Sequence, residues 1–428
     1  MSSSASPFSI PDYRRYWSAR LCSTLALNGT VVIIGWQVYE VARRTMSPRE
    51  AAVQLGLVGL AQFLPLMLLT PVTGFAADRI DRRWIARTTN LLELLCTATL
   101  ALLTWRDAIA LPLLFAIAGL FGVARAFAAP ALQALSPNLV PRALLPSAIA
   151  ISSFAAQVGT IGGPPLAGYL YAAHPPLAYA AATCLLAVAS FQLMRIGPVA
   201  RNAVDLTRRP LAQMLDGFAY IRRNRLVLGA ISLDLFAVLL GGATAMLPIY
   251  ARDILHVGSE GLGHLRAAPA VGAALVAFWL GRHPLRSNVG LKLLVAVAVF
   301  GLATMGFGLS QHSVLPMAAA LGCLGLLGAA DMVSVFVRQS LVQIYTPDEM
   351  RGRVGAISTL FISGSNELGE AESGFLAWMI GPVAAVVAGG VGTIAIAILW
   401  ARLFPEILRA RTFDPPRSLE TVPTKVQE

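Results

Sequence analysis

Charge is scarce in this chain: Asp, Glu, Lys and Arg make up 13% of it, against 56% hydrophobic residues. Soluble domains carry roughly a quarter charged residues, so an ordinary soluble enzyme of this length is excluded. Cysteine is rarer still. Cys22, Cys96, Cys184 and Cys323 show no CxxC or metal-type spacing, and they read as small packing residues. The five histidines fall in loops or near predicted helix ends, with no His-Glu-x-x-His and no His/Cys cluster. No metal and no cofactor is therefore expected. A Gly-x-Ser-x-Gly elbow is missing, as is any nucleophile–base constellation, so no catalytic residue is assigned. A phosphate-cradling Gly-x-x-x-x-Gly-Lys-[Ser/Thr] loop is also missing, which excludes ATP as the energy source. Met1–Pro11 is polar, with no short apolar core and cleavage site, so the first apolar span itself would direct insertion.

Long apolar runs are abundant. A hydrocarbon core of about 30 Å needs roughly 20 apolar residues per helix. Twelve candidate spans meet that length: Leu21–Tyr39, Val53–Ala77, Trp84–Leu103, Ile109–Ala129, Ala148–Tyr171, Leu177–Met194, Leu226–Ala251, Gly261–Leu280, Leu291–Ser310, Val314–Val337, Val354–Ile380 and Val383–Leu403. The runs are continuous rather than alternating, which predicts helices and not barrel strands. Loops such as His174-Pro175-Pro176 and Gln311-His312-Ser313 are short, leaving no extramembrane domain to bind a macromolecule.

The net charge of +11 invites a nucleic-acid reading, but its placement argues otherwise. Of the 33 Lys and Arg residues, 26 fall on the side that holds both termini, Arg338 among them. Six, including Arg43, Arg252 and Arg266, fall on the other, and Arg125 lies within a span. The bias is topological: it predicts a multi-pass protein of a bacterial inner membrane with both termini cytoplasmic.

The chain also nearly repeats itself at an offset of 206 residues. Gly122 falls on Gly328, Gln133 on Gln339, Pro141 on Pro347 and Ser152 on Ser358. The same offset sets Gly163 over Gly369, Gly168 over Gly374 and, with opposite charge, Arg125 over Asp331. Two related halves, each of several spans, are how many secondary transporters build a site at their interface. The expectation is an all-α integral membrane protein of two pseudo-symmetric six-helix bundles. Residues 1–196 form the first bundle, 197–225 a cytoplasmic linker, 226–404 the second bundle and 405–428 a disordered cytoplasmic tail. Leu211, Met214, Leu215, Phe218 and Ile221 give the linker an amphipathic helix suited to an interface.

Between spans two and three the chain reads Gly74-Phe75-Ala76-Ala77-Asp78-Arg79-Ile80-Asp81-Arg82-Arg83. This resembles the Gly-x-x-x-Asp-Arg-x-Gly-Arg-Arg loop of the major facilitator superfamily, with Asp81 in place of glycine. The resemblance implies a cytoplasmic gate carried by Gly74, Asp78, Arg79, Arg82 and Arg83. Gly159, Gly163, Pro164 and Gly168 in span five resemble the superfamily's antiporter pattern, which implies export; small-residue helix packing is the alternative. Arg125 resembles a buried arginine of the fourth helix. From Leu226 to Phe278, with Leu-Asp-Leu-Phe and Leu-Pro-Ile-Tyr, the second half resembles the proton-driven efflux branch that contains enterobactin-type siderophore exporters.

Ionisable groups at membrane depth are costly and normally functional. Glu367 and Glu370 in span eleven, Asp234 in span seven, and Asp331 with Arg125 are the proton-coupling candidates. Arg125 and Asp331 are expected to meet in one state and part in another. Glu372 is placed nearer the outer surface, and Glu93 is expected to pair with a neighbouring helix. Trp36, Trp105, Trp279 and Trp378 read as interface anchors. The function expected is proton-coupled efflux of a small organic molecule, such as a drug or siderophore, by alternating access. The partners expected are that substrate, protons and the bilayer, without nucleic acid or ATP, acting as a monomer. A proton-coupled importer, a lipid flippase and a non-transporting sensor on the same fold are the alternatives.

Overall fold

A computed structural model describes residues 6–79, 81–141, 144–198, 210–283, 285 and 287–413; side chains at some helical positions, including 70–79 and 367, lie outside the description. Among the described residues, twelve long helices run between two faces and no strand forms. The first half comprises α1 (Pro11–Ala42), α2 (Pro48–Arg79), α3 (Arg82–Trp105), α4 (Leu111–Leu135), α5 (Leu145–Ala173) and α6 (Pro175–Met194). The linker carries α7 (Pro210–Arg223). The second half has α8 (Arg225–Leu240), the short turn α9 (Leu247–Ile249), α10 (Gly258–Arg282), α11 (Val289–Gly308), α12 (Pro316–Ile344), α13 (Asp348–Ile380) and α14 (Pro382–Leu403), followed by α15 (Pro405–Arg409). Nine of these, among the described residues, are long and apolar enough to cross a membrane by themselves. Of the helices left out, α5 is rich in glycine, proline and hydroxyl residues, α3 carries Asn90 and Glu93 within its apolar run, and α13 is described only in part. α1, α6, α12 and α14 open on prolines, whose missing N–H costs nothing in a first helical turn.

Arg15 donates to the Arg195 carbonyl, and Arg225 to that of Leu403, so these helix ends lie on one face, the base. The ends at Ala42 and Gly258 lie on the opposite face, the rim. Burial of apolar side chains is continuous at the rim: Trp36, Val38 and Tyr39 of the first half share one core with Met246, Tyr250 and Leu265 of the second. Trp36, 8% exposed, is therefore a core residue and not an interface anchor, whereas Trp105, Trp279 and Trp378 are exposed. At the base the cores separate. Tyr13, Tyr16 and Leu193 belong to one, Leu226, Leu341 and Trp400 to another. Gln157, Gln339 and Asn366, polar residues of α5, α12 and α13, are exposed. Polar groups at that depth face a water-filled cavity. The bundles are thus sealed at the rim and parted at the base.

The internal repeat extends to the contacts between halves. A Cβ on Gly263 of α10 would stand 2.7 Å from the Pro164 carbonyl oxygen of α5. A Cβ on Gly374 of α13 would stand 2.8 Å from the Ala52 oxygen and 3.0 Å from the Gly56 Cα of α2. Gly168, the repeat mate of Gly374, packs against Ser259 and Gly263 in the same way. The two helix pairs that hold the halves together, α5–α10 and α13–α2, are therefore pseudo-equivalent. Overpacking costs about 1–3 kcal/mol even where neighbours can shift, and here the neighbour is backbone. Gly263→Leu is expected to lower the thermal midpoint of the purified protein, with Gly355→Leu, whose Cβ meets open space, as control.

Two expectations need correction. Span seven is not one helix: it breaks after Leu240, passes through Gly241 and Gly242, and resumes as a 3-10 turn, α9 and a π turn ending at Ile254. Gly242 packs against the Gly369 carbonyl oxygen, where a Cβ would lie at 2.5 Å, so close approach and weak helix propensity coincide. The tail is not disordered from residue 405. Ile407 and Ala410 are buried beside Leu293 and Trp400, and the Gly290 amide donates to the Ala410 carbonyl at 3.0 Å. Residues 414–428 lie outside the described residues.

Candidate functional site: a charged passage between the bundles

The deepest charges sit in the second half. Asp234, nine residues into α8, lies about 14 Å along the helix from its base end. Its Oδ2 accepts from Arg338 Nη1 of α12 at 2.6 Å, and the two side chains are 6% and 2% exposed. Asp331 lies seven residues before Arg338, two turns along the same face of α12. It is electrostatically coupled to both Asp234 and Arg338. Arg338 thus pairs with Asp234, and Asp331 is a more distant electrostatic neighbour of both. The charge count along the sequence had set Arg338 among the loop arginines; the structure continues α12 through Ile344 and buries it. The unpaired acid in span seven was the signal that a buried cation had to exist.

A second pair lies between the broken span seven and α13. Arg266 of α10 is 3.7 Å from Glu370, and it donates to the Thr244 carbonyl within the break at 3.4 Å. Both side chains line a cavity of about 50 Å³ with Val31, Val58 and Gln62 of the first half. That space suits a few waters and no organic ligand. Among the described residues, one oxygen of Glu372 is buried without a hydrogen-bond partner. The Glu367 side chain lies outside the described residues.

In the first half Arg125 donates to Gln62 Oε1 at 3.5 Å and is the electrostatic neighbour of Glu93, which is 4% exposed. Glu93 thus faces inward across α3 and α4. No ion pair joins Arg125 to Asp331 among the described residues. They occupy corresponding places in α4 and α12, in a conformation whose bases are parted.

Above these pairs the rim is locked across the halves. Tyr39 donates to Asp253 Oδ2 at 2.5 Å, and Arg43 Nε lies 3.2 Å from the same oxygen. At the base, the side chains of Gly74, Asp78 and Arg79 lie outside the described residues. Arg82 and Arg83 open α3, and Arg83 pairs with Asp81 at 2.6 Å. Asp81 caps α3 by accepting from the Arg83 amide at 3.0 Å. The residue that departs from the superfamily pattern thus supplies a helix cap and a counter-ion. Gly159 and Gly163 pack on Thr24 and Leu25 of α1, and the Pro164 carbonyl and Gly168 pack on α10. The span-five motif is accordingly the joint between α5 and its neighbours in both halves.

Twelve helices in two repeated bundles, sealed at one face and parted at the other, with ion pairs at membrane depth, define a membrane transporter of the major facilitator class. It is not an enzyme. The chain belongs to the transmembrane secretion effector family, whose pattern matches residues 2–417. The enterobactin exporter EntS of Escherichia coli O139:H28 is 28% identical over 414 residues, covering 95% of this chain and 94% of the relative. The enterobactin exporter of Escherichia fergusonii matches equally, at 28% over 414 residues. Among solved structures, the xylose transporter XylE from E. coli superposes with a TM-score of 0.67 at 14% identity, over 94% of this chain and 99% of that one. The nucleoside transporter NupG gives 0.68 at 11% identity, over 92% and 99%.

Proposed function

We propose that this transporter exports a small organic molecule, of the siderophore or drug-like class, across a bacterial inner membrane in exchange for protons. The observation that carries the reading is the Asp234–Arg338–Asp331 cluster. With both acids ionised the cluster has one negative charge in excess, and one proton makes it neutral. Charges about 4 Å apart attract by about 4 kcal/mol at an effective dielectric near 20. Gain or loss of one such term is enough to move a two-state ratio by up to about 10³. Burial of the cluster between α8 and α12 ties that term to the packing of the second bundle.

The positive bias of the base supports a cytoplasmic placement, in which the conformation described above is open inward. Arg266–Glu370 and its small cavity lie between the cluster and the rim, a place suited to passing protons outward or inward once the Asp253 lock opens. Glu367 and Arg125 complete the set of groups that change partners as the bundles rock. Support for export comes from the relatives named as enterobactin exporters and from the span-five pattern, and support for proton drive from the absence of a nucleotide-binding loop.

Everted membrane vesicles test direction and drive together. With the interior acidified, they are expected to accumulate enterobactin or another member of a siderophore and drug panel, and collapse of the pH gradient is expected to abolish uptake. Accumulation only in right-side-out vesicles would mean import. Glu370→Gln is expected to cut gradient-driven flux at least tenfold while leaving gradient-free exchange measurable; equal loss of both would assign Glu370 to substrate or to structure.

A further inference from the structure

The transport cycle leaves one built feature unused, an open cleft of about 660 Å³ at the base of the second half. Tyr220 and Arg223 at the end of α7, Arg225 at the start of α8, Tyr345 beyond α12, and Glu406 and Arg409 of α15 surround it. Arg225 Nε holds Glu406 Oε1 at 2.8 Å and Tyr220 donates to the Tyr345 carbonyl, so the walls are fixed. The amide of Glu406 itself, and then Arg225, keep the Glu406 carboxyl below the usual carboxylate range. One carboxylate therefore faces three guanidinium groups. Arg223 and Arg409 are exposed and make no hydrogen bond or ion pair among the described residues. Cations brought together from separate elements form a local positive field that attracts an anion.

A lane of apolar side chains leads out of the cleft along the bundle. The Arg225 guanidinium lies 5.5 Å from the Phe404 ring, Phe404 lies 5.8 Å from Trp400, and Trp400 lies 5.2 Å from Phe236. Trp400 itself is buried, and Phe236, Leu399 and Leu403, exposed at 39%, 45% and 49%, present the lane on the surface that meets hydrocarbon. A soluble anion needs no such lane; a headgroup with acyl chains fills both parts.

We propose that this cleft binds the phosphate headgroup of an anionic phospholipid, with its chains along the exposed Phe236, Leu399 and Leu403. Bound lipid would tie the linker helix α7 and the tail helix α15 to α8, the helix that carries Asp234. The site would then hold the linker at the second bundle while the first bundle moves.

The test uses the full-length protein in detergent, titrated with phosphatidylglycerol or phosphatidylcholine and read by native mass spectrometry and thermal midpoint. Phosphatidylglycerol is expected to bind at least tenfold more tightly than phosphatidylcholine and to raise the midpoint. Arg223→Gln with Arg409→Gln is expected to weaken phosphatidylglycerol roughly thirty-fold, at the usual worth of two basic residues beside an anionic surface. Arg222→Gln with Arg411→Gln removes the same charge outside the cleft and is expected to leave affinity unchanged. Equal weakening in both double variants, no weakening in the first, or full competition by chain-free glycerol 3-phosphate would overturn the proposal. Lipid-free midpoints of both variants are expected to match the parent; a drop confined to the cleft variant would make its arginines structural and overturn it as well.

Discussion

Arg338→Met alone is expected to destabilise the protein by about 3–5 kcal/mol, the usual result of leaving a buried charge without its partner. Asp234 would remain between α8 and α12, 5% exposed, with Asp331 as its nearest charged neighbour. Asp234→Leu alone strands Arg338 in the same way. The pair replaced together, Asp234→Leu with Arg338→Met, removes both charges at similar volume and is expected to recover most of the lost stability. On the proposed mechanism gradient-driven transport is not expected to return, because, although Asp331 remains, the ion pair whose strength the proton changes is gone. Thermal unfolding of the three variants separates the roles from flux measurements on the same preparations. A double variant that regains both stability and coupled flux would make the pair purely structural.

Asp253→Ala is expected to open the rim. Asp253 accepts from Tyr39 and Arg43 and lies 3.8 Å from Arg252, one of whose buried nitrogens has no hydrogen-bond partner among the described residues. Hydrogen bonds to charged groups contribute about 1.5–3 kcal/mol each. Removing their shared acceptor also leaves Arg43 and Arg252 facing each other without a counter-ion. A shift of at least tenfold towards the rim-open state should follow. Val58, 5% exposed and lining the small cavity beneath the lock, reports it. A lone cysteine there should react with an impermeant thiol reagent from the rim face at least ten times faster when Asp253 is alanine. An unchanged rate would show that the apolar rim core closes the passage without the lock.

The architecture was open to reading because it is written in long-range regularities. Apolar runs of the right length, the basic bias of one side and the offset of 206 residues are each read from residue order along the chain, without tertiary packing. The break after Leu240 was harder to see, since Gly241-Gly242 in an apolar run fits a packing notch as well as a kink. Only the approach of Gly369 distinguishes them. Asp234 and Asp331 stood out as acids in apolar sequence, but their cation did not. Arg338 lies close enough to the end of its span to pass for a loop residue, and only the packing of α12 on α8 takes it out of water. Glu93 shows the same limit. Its burial follows from how α3 meets α4, a tertiary fact with no local pattern.

Spin labels on otherwise cysteine-free protein, one at Ala110 in the first half and one at the exposed Val314 in the second, measure the rim separation directly. Pulsed distance measurements between pH 5 and pH 8 are expected to show two separations whose ratio changes with pH. The change should vanish when Asp234 and Asp331 are both replaced by asparagine. A ratio that stays constant across this range, or that shifts equally in the double variant, would contradict a passage driven by these two carboxylates.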